Sequence, residues 1–162
     1  MPLHFLSTSL PALLPVLGAT VAAAQAPLAY GPPISIEDAK RVAAAALAEA
    51  RKNNWNMAVA ITDSGANLVY FEKMDDTQLG SIEVAVGKSR TAALFKRDTK
   101  VLQDAVASGG EGLRVLRLGS STPIEGGVLL IQHGRIVGAI GLSGAASAQD
   151  GQCAKAGAAV LK

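Results

Sequence analysis

Between residues 36 and 52, apolar side chains recur at Ile36, Ala39, Ala43, Ala46, Leu47 and Ala50, the spacing that lays one stripe along an α-helix. Ser35 stands before this stripe and Asp38 three residues later, so a capped helix start is expected. From 56 to 74 the pattern changes to two β-rich runs separated by Asp63-Ser64-Gly65-Ala66-Asn67, which reads as strand, turn, strand. Residues 80–95 are helical, with Ile82, Val86, Ala93 and Leu94 as core positions, and a short helix follows over 98–107, capped by Asp98 or Thr99. A loop covers 108–112, and 113–119 alternates unevenly, as a short strand or an extended loop would. Ser147 and Asp150 are spaced as a second capping box, opening a last helix whose stripe is Ala154, Ala158 and Leu161.

The stretch from Gly126 to Gly144 holds two apolar runs, VLLIQ and RIVGAIGLS, joined by His133-Gly134. A two-residue joint ending in glycine predicts a β-hairpin. Its glycines do not suit a nucleotide: Gly138, Gly141 and Gly144 contain no GxG, and no phosphate loop ending in Gly-Lys-Ser or Gly-Lys-Thr occurs, so no nucleotide cofactor is expected. Glycine inside a strand weakens it unless something approaches the backbone closely. A packed helix, a neighbouring subunit or a ligand would each account for Gly138 and Gly141. Gly141 to Gly144 leads into the last helix, whose first amides can receive a carboxylate or oxyanion, with Ser143 adding a hydroxyl.

With 162 residues, 49% of them hydrophobic, the chain suits one domain with a core. Only 4% are aromatic, so the core is expected to be built from small aliphatic side chains. Basic and acidic residues are interspersed and sum to +2, which argues against a nucleic-acid partner. The lone Cys153 excludes an intrachain disulfide and a CxxC motif, leaving a small buried thiol.

No acidic residue, lysine or arginine precedes Glu37, and the apolar opening ends in small residues, as a secretory signal peptide does. The expected signal is 1–24, cut after Ala24, because Pro27 would hinder a cut two residues later. Pro11 and Pro15 argue against a membrane span, so the mature protein is expected in the periplasm or outside the cell with no stable membrane anchor. Residues 25–34, with their two consecutive prolines, read as a linker, and 35–162 as the single domain.

The order SIEVAVGKSRTAALF, STPIEGGVLLI and GRIVGAIGLSG, followed by AQD and a helix rich in alanine and glycine, resembles the GlcG/HbpS-like family of haem-binding or haem-associated proteins. The ITDSGANLVYFEKMDD hairpin belongs to the same likeness, which runs from about residue 34 to the end. The resemblance implies an α/β (α+β) fold, a mainly antiparallel sheet of about five strands flanked by helices, assembled as a homo-oligomer. It also implies haem as a cofactor in some relatives, and related domains fused to corrinoid adenosyltransferases. Matched positions are Met74 and Asp75 after the second strand, Lys88, Arg90, Thr91 and Phe95 on the central helix, and Gly126, Gly127, Gly141, Ser143, Gly144 and Asp150. In these ligand-binding roles Lys88 and Arg90 would clamp carboxylates, the glycines would offer backbone donors, and Ser143 and Asp150 would orient the ligand.

Haem iron usually takes His, Cys, Met or Tyr. After removal of the signal His133 is the only histidine, a weak metal candidate because it falls in the hairpin turn; Met57, Met74, Tyr70 and Cys153 are the others. The favoured function is an exported, oligomeric binding protein for haem or another carboxylated small molecule. One alternative is an enzyme on a small organic acid using Asp75 or Asp150 as general base. The other is a non-catalytic assembly module. No catalytic residue is assigned.

Overall fold

The computed structural model describes Met1 and residues 28–161; the expected signal segment and its cleavage site lie outside the described residues, apart from Met1. Helix α1 spans Ile36–Lys52 and is capped as expected, with the Asp38 amide donating to Ser35 Oγ at 3.1 Å. Strands β1 (Ala58–Asp63) and β2 (Leu68–Lys73) form the first hairpin. Asp63 shapes its turn: Oδ1 accepts from the amides of Gly65 and Asn67 at 2.8 and 2.9 Å. Helices α2 (Ser81–Phe95) and α3 (Thr99–Ala107) follow, then β3 (Gly127–Gln132), β4 (Arg135–Ser143) and α4 (Ser147–Ala158).

The four strands form one antiparallel sheet in the order β2-β1-β4-β3. The expected fold class is therefore present, with four strands rather than about five. The difference lies at 110–117, where the chain winds into a 3-10 segment, Gly110–Arg117, instead of extending. Gly109 and Gly110 enter it at φ +70° and +53°, a left-handed turn that starts a coil and leaves no edge for pairing. Residues 30–34 are likewise more than a linker: Tyr30 bridges Ile136, and the amides of Gly31 and Ile34 donate to Ile136 and Val137. They continue along β4 where β1 stops at Gly138.

Register makes the two faces of the sheet chemically different. Val59 lies opposite Leu142, and Ile61 and Val128 opposite Ile140, so one face is large and aliphatic. It packs with Val42, Ala46, Leu47, Cys153 and Ala154 of α1 and α4 in the main core. On the other face Ala60 and Gly127 both lie opposite Gly141, and Ala139 opposite Thr62. Small side chains there let α2 lie close to the sheet. A methyl group at Gly141 would sit 2.1 Å from the Ala85 carbonyl oxygen and 2.5 Å from the Ser89 nitrogen, so of the three expected reasons for these glycines, a packed helix holds at Gly141.

Of the two remaining cap expectations, that for α3 holds in position and that for α4 changes. Asp98 is the N-cap of α3, but its Oδ1 accepts from the Leu129 amide at 3.0 Å, tying α3 to β3. The α4 cap is Ala146, not Ser147; Gln149 Oε1 accepts from the Ala146 amide at 3.0 Å, which releases Asp150 for another partner.

Candidate functional site

That partner is Lys88. Its Nζ donates to Asp150 Oδ2 at 2.7 Å and to the Leu142 carbonyl at 3.0 Å, while Asp150 Oδ1 accepts from the Ala145 amide at 3.2 Å. Three elements meet here: α2 supplies the cation, α4 the anion, and the end of β4 the carbonyl. With Lys88 1% and Asp150 2% exposed, neither meets solvent. Burial pulls the Lys88 ammonium below the usual lysine range, against the pull of Asp150; burial likewise raises the Asp150 carboxyl, against Lys88.

The glycine pair encloses this ion pair. Gly126, at φ +126°, leaves room that a methyl group would take: it would lie 2.9 Å from Lys88 Nζ and 2.8 Å from both Asp150 Cβ and the Leu142 oxygen. Gly127 crosses α2, where a methyl would come 2.4 Å from the Lys88 carbonyl oxygen, and its amide donates to Thr99 Oγ1 at 2.8 Å. Ser143 Oγ donates to Ser81 Oγ at 3.1 Å, and the Gly144 backbone passes over Asn56 and Met57.

Seven of the twelve expected site residues, Lys88, Gly126, Gly127, Gly141, Ser143, Gly144 and Asp150, thus converge at one end of the sheet. Their expected roles need correction. Lys88 cannot clamp a ligand, nor Asp150 orient one or act as a general base, because each is buried against the other. Ser143 is buried on Ser81, and its hydroxyl has a partner. Ser81, Thr99 and Glu125 also belong to this node; Ser81 and Glu125 lie inside the motifs of the family likeness and Thr99 was a cap candidate, but none was expected at the site, and Glu125 is buried against Gly151, with Lys155 Nζ 3.7 Å from its Oε1.

Of the other five expected residues, Met74, Asp75, Arg90 and Phe95 open onto the surface in three places, while Thr91 is buried. Met74 and Asp75 line a cleft of about 370 Å³ that also holds Arg51, Glu72, Lys73 and Asp76. Arg90 lines a second, of about 410 Å³, facing the loop 119–122. Thr91 is the strut beneath that loop: it is buried, it donates to the Gly87 carbonyl at 2.7 Å, and it accepts from the Thr122 amide at 2.8 Å.

Phe95 lines the third, a groove of about 450 Å³ walled by Leu102 and Ala105 of α3 and by Val115 and Leu118 of the 3-10 segment and its end. Arg97 and Arg114 share that wall. Arg97 Nε donates to the Phe95 carbonyl at 3.0 Å, and Arg114 pairs with Glu111 on the exposed surface. The uneven alternation LRVLRL carried the signal for this groove, since it puts leucines and arginines together on a short coil.

No group of three or more potential metal-ligating His, Cys, Asp or Glu side chains occurs among the described residues. His133 is exposed at the β3–β4 turn, and Cys153 and Met57 are buried in the core. The Tyr70 hydroxyl donates to Glu72 Oε2 at 2.7 Å, and that hydrogen bond raises its pKa.

A family model described as haem degrading protein HbpS-like matches residues 34–159. Protein GlcG of Escherichia coli (strain K12) is 41% identical over 110 residues, which cover 68% of this chain and 81% of that protein. Among solved structures, HbpS superposes with a TM-score of 0.75 at 29% identity, covering 88% of this chain and 99% of that one. A PduOC:heme complex superposes with a TM-score of 0.73 at 28% identity, covering 80% of this chain and 96% of the other.

Proposed function

The chain belongs to the HbpS-like family, and from that premise we propose that it binds haem or a similar planar, carboxylated ligand in the groove beside Phe95. The haem-bound relative and the family description support the ligand class. One observation carries the location: this groove combines an apolar wall of Phe95, Leu102, Ala105, Val115 and Leu118 with Arg97, which makes no ion pair among the described residues, and with Arg114, whose guanidinium is shared with Glu111 on the same wall. Apolar area offers the macrocycle a dry face, and a guanidinium pairs with a carboxylate in a two-pronged geometry that an ammonium lacks. The Met74 cleft suits such a ligand less well, because its acids Glu72, Asp75 and Asp76 outnumber Arg51 and Lys73 and Met74 is its one apolar side chain.

The fit to haem is of the plane and the carboxylates. No His, Cys, Met or Tyr lines the groove, so the protein's hold on the ligand comes from burial and charge rather than from one of the usual axial side chains. Bound haem would supply its own iron chemistry. This chain's residues bind it, orient its carboxylates and shield one face from water.

Export and assembly belong to the same reading. The apolar opening of the chain supports removal of a signal after Ala24. Leu94, Val101, Leu113, Leu116 and Ile124 are exposed on and around α3 and the 3-10 segment, an apolar surface that a second copy would cover, closing the groove at a subunit boundary. No helix of the described residues is long and apolar enough to cross a membrane.

Titration with hemin tests the site. A Soret band that shifts and saturates is expected, with affinity about 10-fold lower or worse in Leu118→Asp, which removes apolar wall and repels carboxylates at an exposed position that the fold tolerates. Affinity unchanged from that of the unsubstituted protein in both Leu118→Asp and Phe95→Ala would remove the groove from the proposal.

A further inference from the structure

The cleft at Arg90 has a chemistry unlike that of the groove beside it. Glu83, Gly87 and Arg90 lie at positions i, i+4 and i+7 of α2 and form one helix face toward the cleft. Ser120, Ser121 and Thr122 supply the opposite wall, so the space of about 410 Å³ is lined by hydroxyls and by one charge of each sign. A porphyrin would find too little apolar surface here. A ligand of a few heavy atoms would not need it.

Two observations show that this polar capacity is not spent on the fold. Arg90 is exposed and, like Arg97, Arg117 and Arg135, makes no ion pair among the described residues, so its guanidinium is open to a ligand. The Ser121 hydroxyl is the one buried side-chain oxygen or nitrogen among the described residues with no hydrogen-bond partner. Buried polar groups are nearly always paired, and leaving one unpaired costs stability.

The cleft is also held in shape. Thr91, fixed from below by the Gly87 carbonyl, accepts from the Thr122 amide and fixes the loop at its Thr-Pro step. Gly87 lets the loop come down onto α2: a methyl group there would lie 2.4 Å from Thr122 Oγ1. Wall and floor are therefore set before any ligand arrives, which lowers the ordering cost of binding.

We propose that this cleft is a separate site for a small carboxylate bearing a hydroxyl or ammonium group. Arg90 takes the carboxylate through paired N–H donors, Ser120 adds a hydroxyl contact, and Glu83 accepts from the ligand's donor at the other end of the helix face. An inorganic oxyanion could satisfy Arg90 and Ser120 but has no donor for Glu83 at neutral pH beyond what phosphate retains. A plain carboxylate has none at all.

Ligand-observed NMR on the intact protein with acetate, lactate, alanine and inorganic phosphate, each at millimolar concentration, separates these cases. Lactate or alanine should bind, and acetate should bind about 10-fold more weakly for want of one charged hydrogen bond. Arg90→Gln should weaken binding by at least about the same factor, and Glu83→Gln should abolish the preference over acetate. Hemin binding and the melting temperature should not change in either variant, which separates this site from the groove and from misfolding. Binding of none of the four probes, equal binding of all four, or unchanged binding in Arg90→Gln would overturn the proposal.

Discussion

Lys88 Nζ meets Asp150 Oδ2 at 2.7 Å, across 62 residues of sequence, and the pair joins α2 to the first turn of α4 in a space closed to water. Burial moves both groups toward their neutral forms, so much of the attraction offsets the cost of removing the charges from water. Each residue is therefore indispensable while the other is present. Lys88→Met or Asp150→Leu alone should lower the unfolding free energy by about 3–5 kcal/mol in urea titrations, because one buried charge is left unpaired. The double variant should recover to within about 2 kcal/mol of the unsubstituted protein, the remainder reflecting the lost bond to the Ala145 amide. Additive losses would show that the pair is not a unit.

Close packing of α2 on β4 makes a second prediction. Gly141→Ala would place a methyl 2.1 Å from the Ala85 oxygen, so helix and strand must separate, at a cost of about 3 kcal/mol or more. Gly80 offers the control: nothing lies within 4 Å of its methyl position and its φ of −61° suits alanine. Gly80→Ala should change stability by less than about 1 kcal/mol, in the stabilising direction. Equal effects in the two thermal melts would mean that the glycines of β4 are not there for the helix.

These glycines show what could be read in the sequence. Their position inside a strand announced a close approach, because glycine weakens a strand unless something nears its backbone; the two unlike faces of the sheet emerge only from the strand register. The identity of the approaching element was not local information. Nor was the pairing of Lys88 with Asp150, which depends on α4 starting at Ala146 and on Gln149 taking the cap. Seven of the twelve expected residues do meet in space, but the sequence did not divide the set into inner and outer parts. Burial decides that division, and spacing on one helix places Lys88 and Arg90 two residues apart without saying which faces the sheet.

Cys153 links the core to alkaline pH. The thiol is fully buried beneath α1, and burial, reinforced by the charges of Glu49 and Asp150, pushes its pKa up to about 11. The unfolded chain ionises near 9 while the folded protein keeps its proton, so stability is intact below pH 9 and falls as pH rises from 9 toward 11. The loss amounts to about 3 kcal/mol at most, by the usual conversion of pKa shift to free energy. Cys153→Ala should flatten this part of the stability profile measured by urea titration. The native thiol should also resist a thiol reagent at pH 8 until denaturant is added; rapid labelling of the folded protein would contradict its burial.

His133 is the residue whose chemistry first suggests iron, yet its backbone points to a turn. It takes φ +49° and Gly134 takes φ +72°, the paired left-handed conformation of a two-residue hairpin turn, for which asparagine before glycine is the favoured sequence. Histidine enters that region at some cost, and its ring is exposed at the hairpin tip rather than in the Phe95 groove. Replacing it therefore separates two roles that one removal experiment would confuse. His133→Asn should raise stability by up to about 1 kcal/mol, through relief of the turn, and leave the hemin titration unchanged. Loss of the Soret shift together with a gain in stability would make His133 an iron ligand and move the haem site from the α3 groove to the hairpin tip. Loss of stability would instead show that the imidazole makes a contact that outweighs the turn's preference.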